Sequence, residues 1–183
     1  MFHYTINQDG LTVEELLRTK WRLGKKIVHE LRMAKAVTLD GEPVLWKEPL
    51  SRGTKLHFAF EIPASSYTTT RECEVEIKYE DEHCLIVSKP SGMSTHPNDE
   101  WDRDTCMNHV MKHIQDNGGH YAEHVHRLDQ GTKGLLLIAK NPIAKSIFDR
   151  MIEEKTITRT YAAEVQGNIR SESGTIKAAI GKD

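Results

Sequence analysis

Along this chain the spacing of hydrophobic positions changes several times, and each change marks an element. Phe2 to Ile6 alternates and reads as an edge strand. Thr12-Val13-Glu14-Glu15 is a capping box: Thr12 can cap the amide of Glu15 while Glu15 reaches back. Val13, Leu16 and Leu17 then follow at helical spacing, and Gly24 interrupts them. Ile27, Val28 and Leu31 predict a second helix over 25–35. Two extended runs, 36–39 and 43–45, flank Asp40-Gly41, a dipeptide that favours the left-handed conformations of a tight hairpin. Arg52-Gly53 turns the chain into another strand over 55–60, and 63–70 is small, polar and without period, as a linker is.

In the second half, 74–79 alternates as a half-buried strand, Asp81-Glu82-His83 turns, and 84–87 is apolar enough for a buried strand. Residues 105–115 predict a helix that stops at Asn117-Gly118-Gly119. The five-residue apolar run 135–139 reads as a short buried strand. Asn141 as cap and Pro142 at the first helical position start another helix, with Ile143, Ile147, Met151 and Ile152 inward. Residues 156–165 predict a last strand. Helices and hairpin-linked strands in this order make an α+β protein, with 1–62 a small unit, 63–73 a connection and 74–183 a larger unit.

Composition narrows the function classes. The chain has 183 residues, 38% apolar and 28% charged, as expected of a globular protein with one domain and a small second one. No apolar run approaches the ~18 residues of a membrane helix, and the N-terminus lacks the basic-then-apolar pattern of a secretion signal. The expectation is a cytoplasmic protein with no membrane partner. The three cysteines, Cys73, Cys84 and Cys106, form no C-x-x-C pair and read as reduced thiols. Net charge is −2, but Arg18, Lys20, Arg22, Lys25, Lys26, Arg32 and Lys35 lie within one stretch against a single acid, Glu30. Such a block is either a solvated helix face or a phosphate-binding surface.

Candidate chemistry centres on His126-Arg127-Leu128-Asp129-Gln130-Gly131-Thr132-Lys133-Gly134, the loop before the apolar run. A strand gives rigid support, and a loop at its edge can hold one acidic side chain in place. Asp129 follows apolar Leu128 and neighbours cationic Arg127, so a cation can hold its charge; on chemistry alone the better reading is a loop Asp satisfying its own turn, since one Asp in a glycine-containing loop is common. Cys106, His109 and His113 can share a helix face, with His120, His124 and His126 soon after, so a metal site enters consideration. The acid of a His-Glu-x-x-His motif is absent, and the expectation is no metal.

The run HRLDQGTKGLLLIAK resembles the signature of the RluA-type RNA pseudouridine synthases, usually His-Arg-Leu-Asp-x-x-Thr-Ser-Gly-Leu-Leu, with Lys133 where Ser is most often found. Lys89-Pro90-Ser91-Gly92-Met93-Ser94-Thr95-His96-Pro97 is similar to a second motif of that family, Lys-Pro-x-Gly-x-x-x-His-Pro. The 156–165 stretch is similar to a third, whose Tyr maps to Tyr161, and 174–183 resembles its Gly-x-Ile-x-x-Pro-Ile-Gly segment with Ala179 for Pro. The helix pair and hairpin of 1–62 resemble, in layout, the small S-four-like RNA-binding domain, whose helix pair faces RNA where the basic block falls here. The implied fold is a helix-helix-hairpin RNA-binding domain followed by the N-terminal part of a mixed, largely antiparallel pseudouridine synthase domain. Family members continue for roughly another hundred residues, with a basic residue that pairs with the catalytic Asp, so the chain reads as truncated.

The resemblance implies an isomerase that breaks the C1′–N1 bond of a uridine in RNA, turns the base and rejoins it through C5, with no metal or organic cofactor. Asp129 becomes the catalytic carboxylate, as nucleophile or as stabiliser and base. Tyr161 packs on the extruded uracil and acts on the C5 proton. Arg127 fills the vacated space or holds phosphates, and His126, Lys89 and His96 join Arg18, Arg22, Lys25 and Lys26 as RNA-binding residues. Ribosomal RNA is the default partner, with transfer RNA open. The rival readings are a non-catalytic RNA-binding protein and a metal-dependent hydrolase built on the histidines.

Overall fold

The computed structural model describes residues 2–168, 170–179 and 181. The 174–183 motif therefore lies partly outside the described residues. The architecture is α+β, with two four-stranded antiparallel sheets.

The first sheet has the order β1-β4-β2-β3. Strand β1 (Phe2–Thr5) is an edge strand, as its alternation predicts. Helix α1 (Val13–Glu15) carries the Thr12/Glu15 capping box. It runs into a π-helical turn over Leu16–Lys20, where the Trp21 amide donates to the Leu16 carbonyl at 2.8 Å. Helix α2 (Lys25–Met33) buries Val28 and Leu31. The hairpin of β2 (Val37–Leu39) and β3 (Glu42–Pro43) turns at Asp40 (φ 50°) and Gly41 (φ 90°), the left-handed pair its dipeptide predicts. Strand β3 is shorter than expected: past Pro43, which lies opposite Thr38, one more bond follows, from the Val44 amide to the Val37 carbonyl at 3.2 Å. Strand β4 (Lys55–Phe58) pairs with β1 and β2. Phe2 stacks on Phe58 at 4.8 Å over a core that includes Leu16, Leu17, Leu31 and Leu56.

The second sheet has the order β5-β6-β8-β7. It comprises β5 (Glu76–Glu80), β6 (Cys84–Lys89), β7 (Glu123–His124) and β8 (Gly134–Ala139). Helix α3 (Cys106–Asp116) starts at the predicted Thr105 and packs Met107, Val110 and Met111 against Leu85, Val87, Leu136 and Ile138. Each of these aliphatic side chains contributes about 1.5–3 kcal/mol by leaving water. The apolar run of β8 is not buried throughout, as expected of it. Period-two alternation turns Leu135 and Leu137 to the other face, where Phe148 and Ile152 of α4 (Pro142–Glu153) share a cluster with Leu137 while Leu135 stays 58% exposed. Asn141 caps α4 by accepting from the Ala144 amide at 2.8 Å.

Helix α4 also ties the two sheets together: Ile143 is part of the first core, and Ile147 packs against it. Arg22 pairs with Glu154, and Phe2 meets His83 edge-on at 5.0 Å.

Two further expectations change. The 63–70 segment has no secondary structure but is held down. Ser65 Oγ donates to the Ala122 carbonyl (2.7 Å) and accepts from its amide (3.0 Å), and Asn108 Nδ2 donates to the Thr68 carbonyl (2.7 Å). The 156–165 stretch forms no strand; among the described residues it finds no ladder partner, and alternation alone does not make a strand.

Candidate active site

Strand register builds the site. Strands β6 and β8 pair from Cys84↔Ala139 to Lys89↔Gly134, so the end of one lies beside the start of the other. The 90–97 loop leaves the sheet where the 126–133 loop arrives, and the two sequence motifs meet although some thirty residues separate them.

Cross-links between the two loops fix their relative position. Thr95 Oγ1 donates to the Leu128 carbonyl at 2.6 Å and accepts from the Leu128 amide at 3.0 Å. The Gly92 amide donates to the Gln130 carbonyl at 2.8 Å, and Gln130 Nε2 donates to the Gly92 carbonyl at 2.9 Å. Ser91 Oγ donates to the Gly131 carbonyl at 2.8 Å. Gly92 has φ 90°, a conformation open to glycine that keeps its amide and carbonyl available to the other loop. Between them lies a polar cleft of about 180 Å³, lined by Ser94, Thr95, His96, Asn98, Arg127, Leu128, Asp129 and Gln130.

The candidate residues occupy distinct places. Asp129, Arg127 and His96 line the cleft, with Asp129 and Arg127 exposed and Leu128 buried between them. Among the described residues no cation pairs with the Asp129 carboxylate, so the Arg127 contact anticipated from their adjacency is not made. Lys89, expected on an RNA-facing surface, is fully buried. Its Nζ donates to the carbonyls of Pro90 (3.0 Å), Met93 (2.6 Å) and Gln130 (3.2 Å), clamping the loops from within. Burial lowers the Lys89 pKa, while the neighbouring Cys106 and Asp129 oppose the shift.

His126 is half-buried, and its Nε2 accepts from the Leu137 amide at 3.3 Å. Burial lowers its pKa, and the charge of Arg159 adds to the effect. Tyr161 is 57% exposed and lies outside the lining of the cleft. Arg18, Arg22, Lys25 and Lys26 are exposed around the π turn and the start of α2, away from the cleft.

A supporting layer escaped the sequence reading. His96 stacks on His124, with ring centroids 4.8 Å apart. The Tyr67 hydroxyl lies 3.1 Å from His124 Nδ1. Burial, joined by the charges of His96 and Lys145, pushes His124 down to about 4. It is therefore neutral at pH 7, with a ring nitrogen free to accept from Tyr67. Tyr67 reaches it from the 63–70 segment, whose composition signals only a connection. Thr95 carries no sequence sign of being buried beyond its place inside the second motif.

Among the described residues no three His, Cys, Asp or Glu side chains converge as metal ligands. His109 is bonded to Asp104 at 2.8 Å and His113 to Glu80 at 2.7 Å. Burial pushes the Cys106 thiol up to about 12, so it stays protonated at neutral pH and is a poor nucleophile.

Comparison with known proteins accords with this geometry. A family model described as RluD ribosomal pseudouridine synthase N-terminal domain matches residues 1–56, and one described as RNA pseudouridylate synthase matches residues 83–183. The chain is similar to the Uncharacterized RNA pseudouridine synthase YhcT of Bacillus subtilis (strain 168), at 34% identity over 96% of this chain and 59% of that protein. It is also similar to the Ribosomal large subunit pseudouridine synthase D of Pseudomonas aeruginosa, at 34% identity over 80% of this chain and 46% of that protein. It thus spans about half the length of these relatives. A solved structure, Human RNA Pseudouridylate Synthase Domain Containing 4, aligns with a TM-score of 0.38 and 15% identity over 44% of this chain and 30% of that one, a likeness too faint to bear on the fold. The match over 83–183, with both motif loops meeting around Asp129, places this chain in the RNA pseudouridylate synthase family.

Proposed function

We propose that this chain carries the uridine-isomerising centre of an RNA pseudouridine synthase acting on structured RNA, with ribosomal RNA as the substrate class and Asp129 as the catalytic carboxylate. The carrying observation is the cleft itself: an exposed Asp129 and Arg127 on one of two cross-linked loops at the end of a rigid sheet. The relative named as a ribosomal large subunit enzyme supports the choice of RNA.

The rearrangement is redox-neutral. The C1′–N1 bond breaks, the uracil turns, C5 bonds to C1′, and the C5 proton leaves as N1 gains one. Cleavage builds positive character on the sugar, which a fixed carboxylate stabilises or captures. The uridine must first leave its stack, at a cost of a few kcal/mol. Arg127, beside Asp129, offers a planar cation for the vacated space or the flanking phosphates. Tyr161 is assigned to the extruded uracil, which requires the 156–165 segment to reach the cleft.

Residues 1–62 are assigned as an S-four-like RNA-binding domain, 63–73 as the strap between units, and 74–183 as catalytic-domain sequence in a cytoplasmic protein. Arg18, Arg22, Lys25 and Lys26 form its phosphate-binding face. The ion pairs there, such as Arg18 with Glu14 at 3.5 Å and Lys26 with Glu30 at 4.0 Å, are exposed and weak, so phosphates can displace them. The rival reading, RNA binding without turnover, draws on the same exposed basic side chains.

Tritium release from RNA labelled at uridine C5 decides between them. The chain should release tritium from ribosomal RNA, and Asp129→Asn should abolish release while leaving RNA affinity within a few fold. Substantial turnover by Asp129→Asn refutes Asp129 as the catalytic group. Binding without release by the unaltered chain, on both ribosomal and transfer RNA, establishes the rival.

A further inference from the structure

A second cleft lies far from Asp129 in residue make-up, on the first sheet's side of the molecule. It encloses about 580 Å³ between the end of α2 and the segment after β3, and it is lined by Arg32, Lys35, Trp46, Lys47 and Glu48 among others. Its volume falls within the roughly 300–1,000 Å³ typical of ligand clefts. The Arg32 guanidinium stands over the Trp46 ring at 4.5 Å from its centroid. Both partners are held. The Glu14 carboxylate lies 3.8 Å from Arg32, and the Trp46 carbonyl accepts from the Glu14 amide at 3.0 Å. Trp46 is partly buried and packs against the first core.

Lys35 and Lys47 are exposed and form no ion pair among the described residues. Lys35 sits just past α2 with φ 50°, where the chain reverses. The cleft therefore joins a fixed, planar, cationic stack to two uncommitted ammonium groups, with Glu48 as the acid on its rim.

We propose that this cleft binds an unpaired nucleotide of the RNA, its base stacking on the Arg32–Trp46 pair and its flanking phosphates meeting Lys35 and Lys47. A guanidinium seated on an indole keeps its outer face for another π-system, and a nucleobase with phosphates on either side matches that face and those charges. Paired bases have both faces covered, so the site selects single-stranded nucleotides. It adjoins the helix-borne face through Glu14, whose carboxylate lies near both Arg18 and Arg32, and shares no lining residue with the Asp129 cleft. The proposal rests on the reading that the protein acts on RNA, and it adds where a single-stranded part of that RNA is gripped.

The test titrates the full chain with a short single-stranded oligouridylate, following tryptophan fluorescence and binding across a salt series. Lys35→Glu/Lys47→Glu should weaken binding at least tenfold near 0.1 M salt. It should also flatten the slope of log K against log salt by about 1.4, two phosphate contacts at about 0.7 each for single strands. Trp46→Phe, which keeps a stacking ring, should bind within about threefold, and Trp46→Leu should lose at least tenfold with its melting midpoint checked alongside. Lys78→Glu/Lys112→Glu, on β5 and α3, makes the same change in net charge away from the cleft and should bind within twofold of the unaltered chain. Oligonucleotide affinity of Lys35→Glu/Lys47→Glu within twofold of the unaltered chain overturns the proposal, as does equal competition by a fully paired duplex of the same length. Because binding is read without turnover, oligonucleotide binding with no tritium release defeats the catalytic reading and leaves the cleft standing. Tritium release with unchanged binding in the double variant defeats the cleft alone.

Discussion

Replacing Lys89 by Met tests whether the two motif loops are clamped from inside. Lys89 is fully buried, and its ammonium donates to three carbonyls, two on its own loop and one, Gln130, on the loop bearing Asp129. Met has nearly the same length and volume, so packing is largely kept while the donor group disappears. Each bond from a charged donor is worth about 1.5–3 kcal/mol, but the variant is also relieved of burying a charge. The net loss expected is about 3 kcal/mol, set by carbonyls left without partners in a dry site. Urea denaturation should show this as a lower midpoint at unchanged slope. Amide exchange gives a local reading. The Gly92 amide bonds to the Gln130 carbonyl and the Leu128 amide to Thr95 Oγ1, so both should exchange about a hundredfold faster, at ~1.4 kcal/mol per tenfold. Tritium release should fall as the loop bearing Asp129 loosens. A stability loss under about 1 kcal/mol with unchanged exchange at Gly92 and Leu128 would refute the clamp.

Thr95→Val removes the hydroxyl that serves both the amide and the carbonyl of Leu128. It should cost about 2 kcal/mol in a urea melt, because Val keeps the shape but leaves two buried backbone groups unpaired; Thr95→Ser should recover most of it. His124 contributes to the pH dependence of stability. Its folded pKa, about 4, lies below the ordinary 6.5, so the unfolded chain binds the extra proton first. The stability is present above pH 6.5 and is lost as pH falls toward 4; with the ring partly solvated, the expected loss is about 1–2 kcal/mol. Melting the chain and His124→Gln at pH 7 and pH 4.5 should show a shallower decline for the variant, and equal declines would dismiss the histidine as the source.

How much of this was legible in the sequence depends on the range of the interaction. Local grammar was readable wherever partners lie within a few residues. The Thr12/Glu15 box, the Asp40-Gly41 turn and the Asn141-Pro142 start of α4 are found as expected. Their hydrogen bonds close over three or four positions, so residue order alone specifies them. The same holds for the ordered residues of the two motifs, which identify the family before any geometry is known.

What the sequence left open was settled by pairing over long separations. The β6–β8 register, not any local preference, puts Lys89 beside Gly134 and so brings Thr95 to Leu128 and His96 to the wall beside Asp129. Burial follows from that register, which is why Lys89 became an interior clamp rather than a surface cation. The 63–70 segment looked like a tether because its small polar residues have no period, yet their side chains bond to α3 and to the chain entering β7. Residues 156–165 had a strand's composition without a strand's partner. Patterns of three or four residues thus determined the elements and their caps. Which loops share a cleft, which charges are dry and which aromatic meets which cation were decided only when distant strands came into register, because those contacts exist between surfaces that the chain order does not bring together.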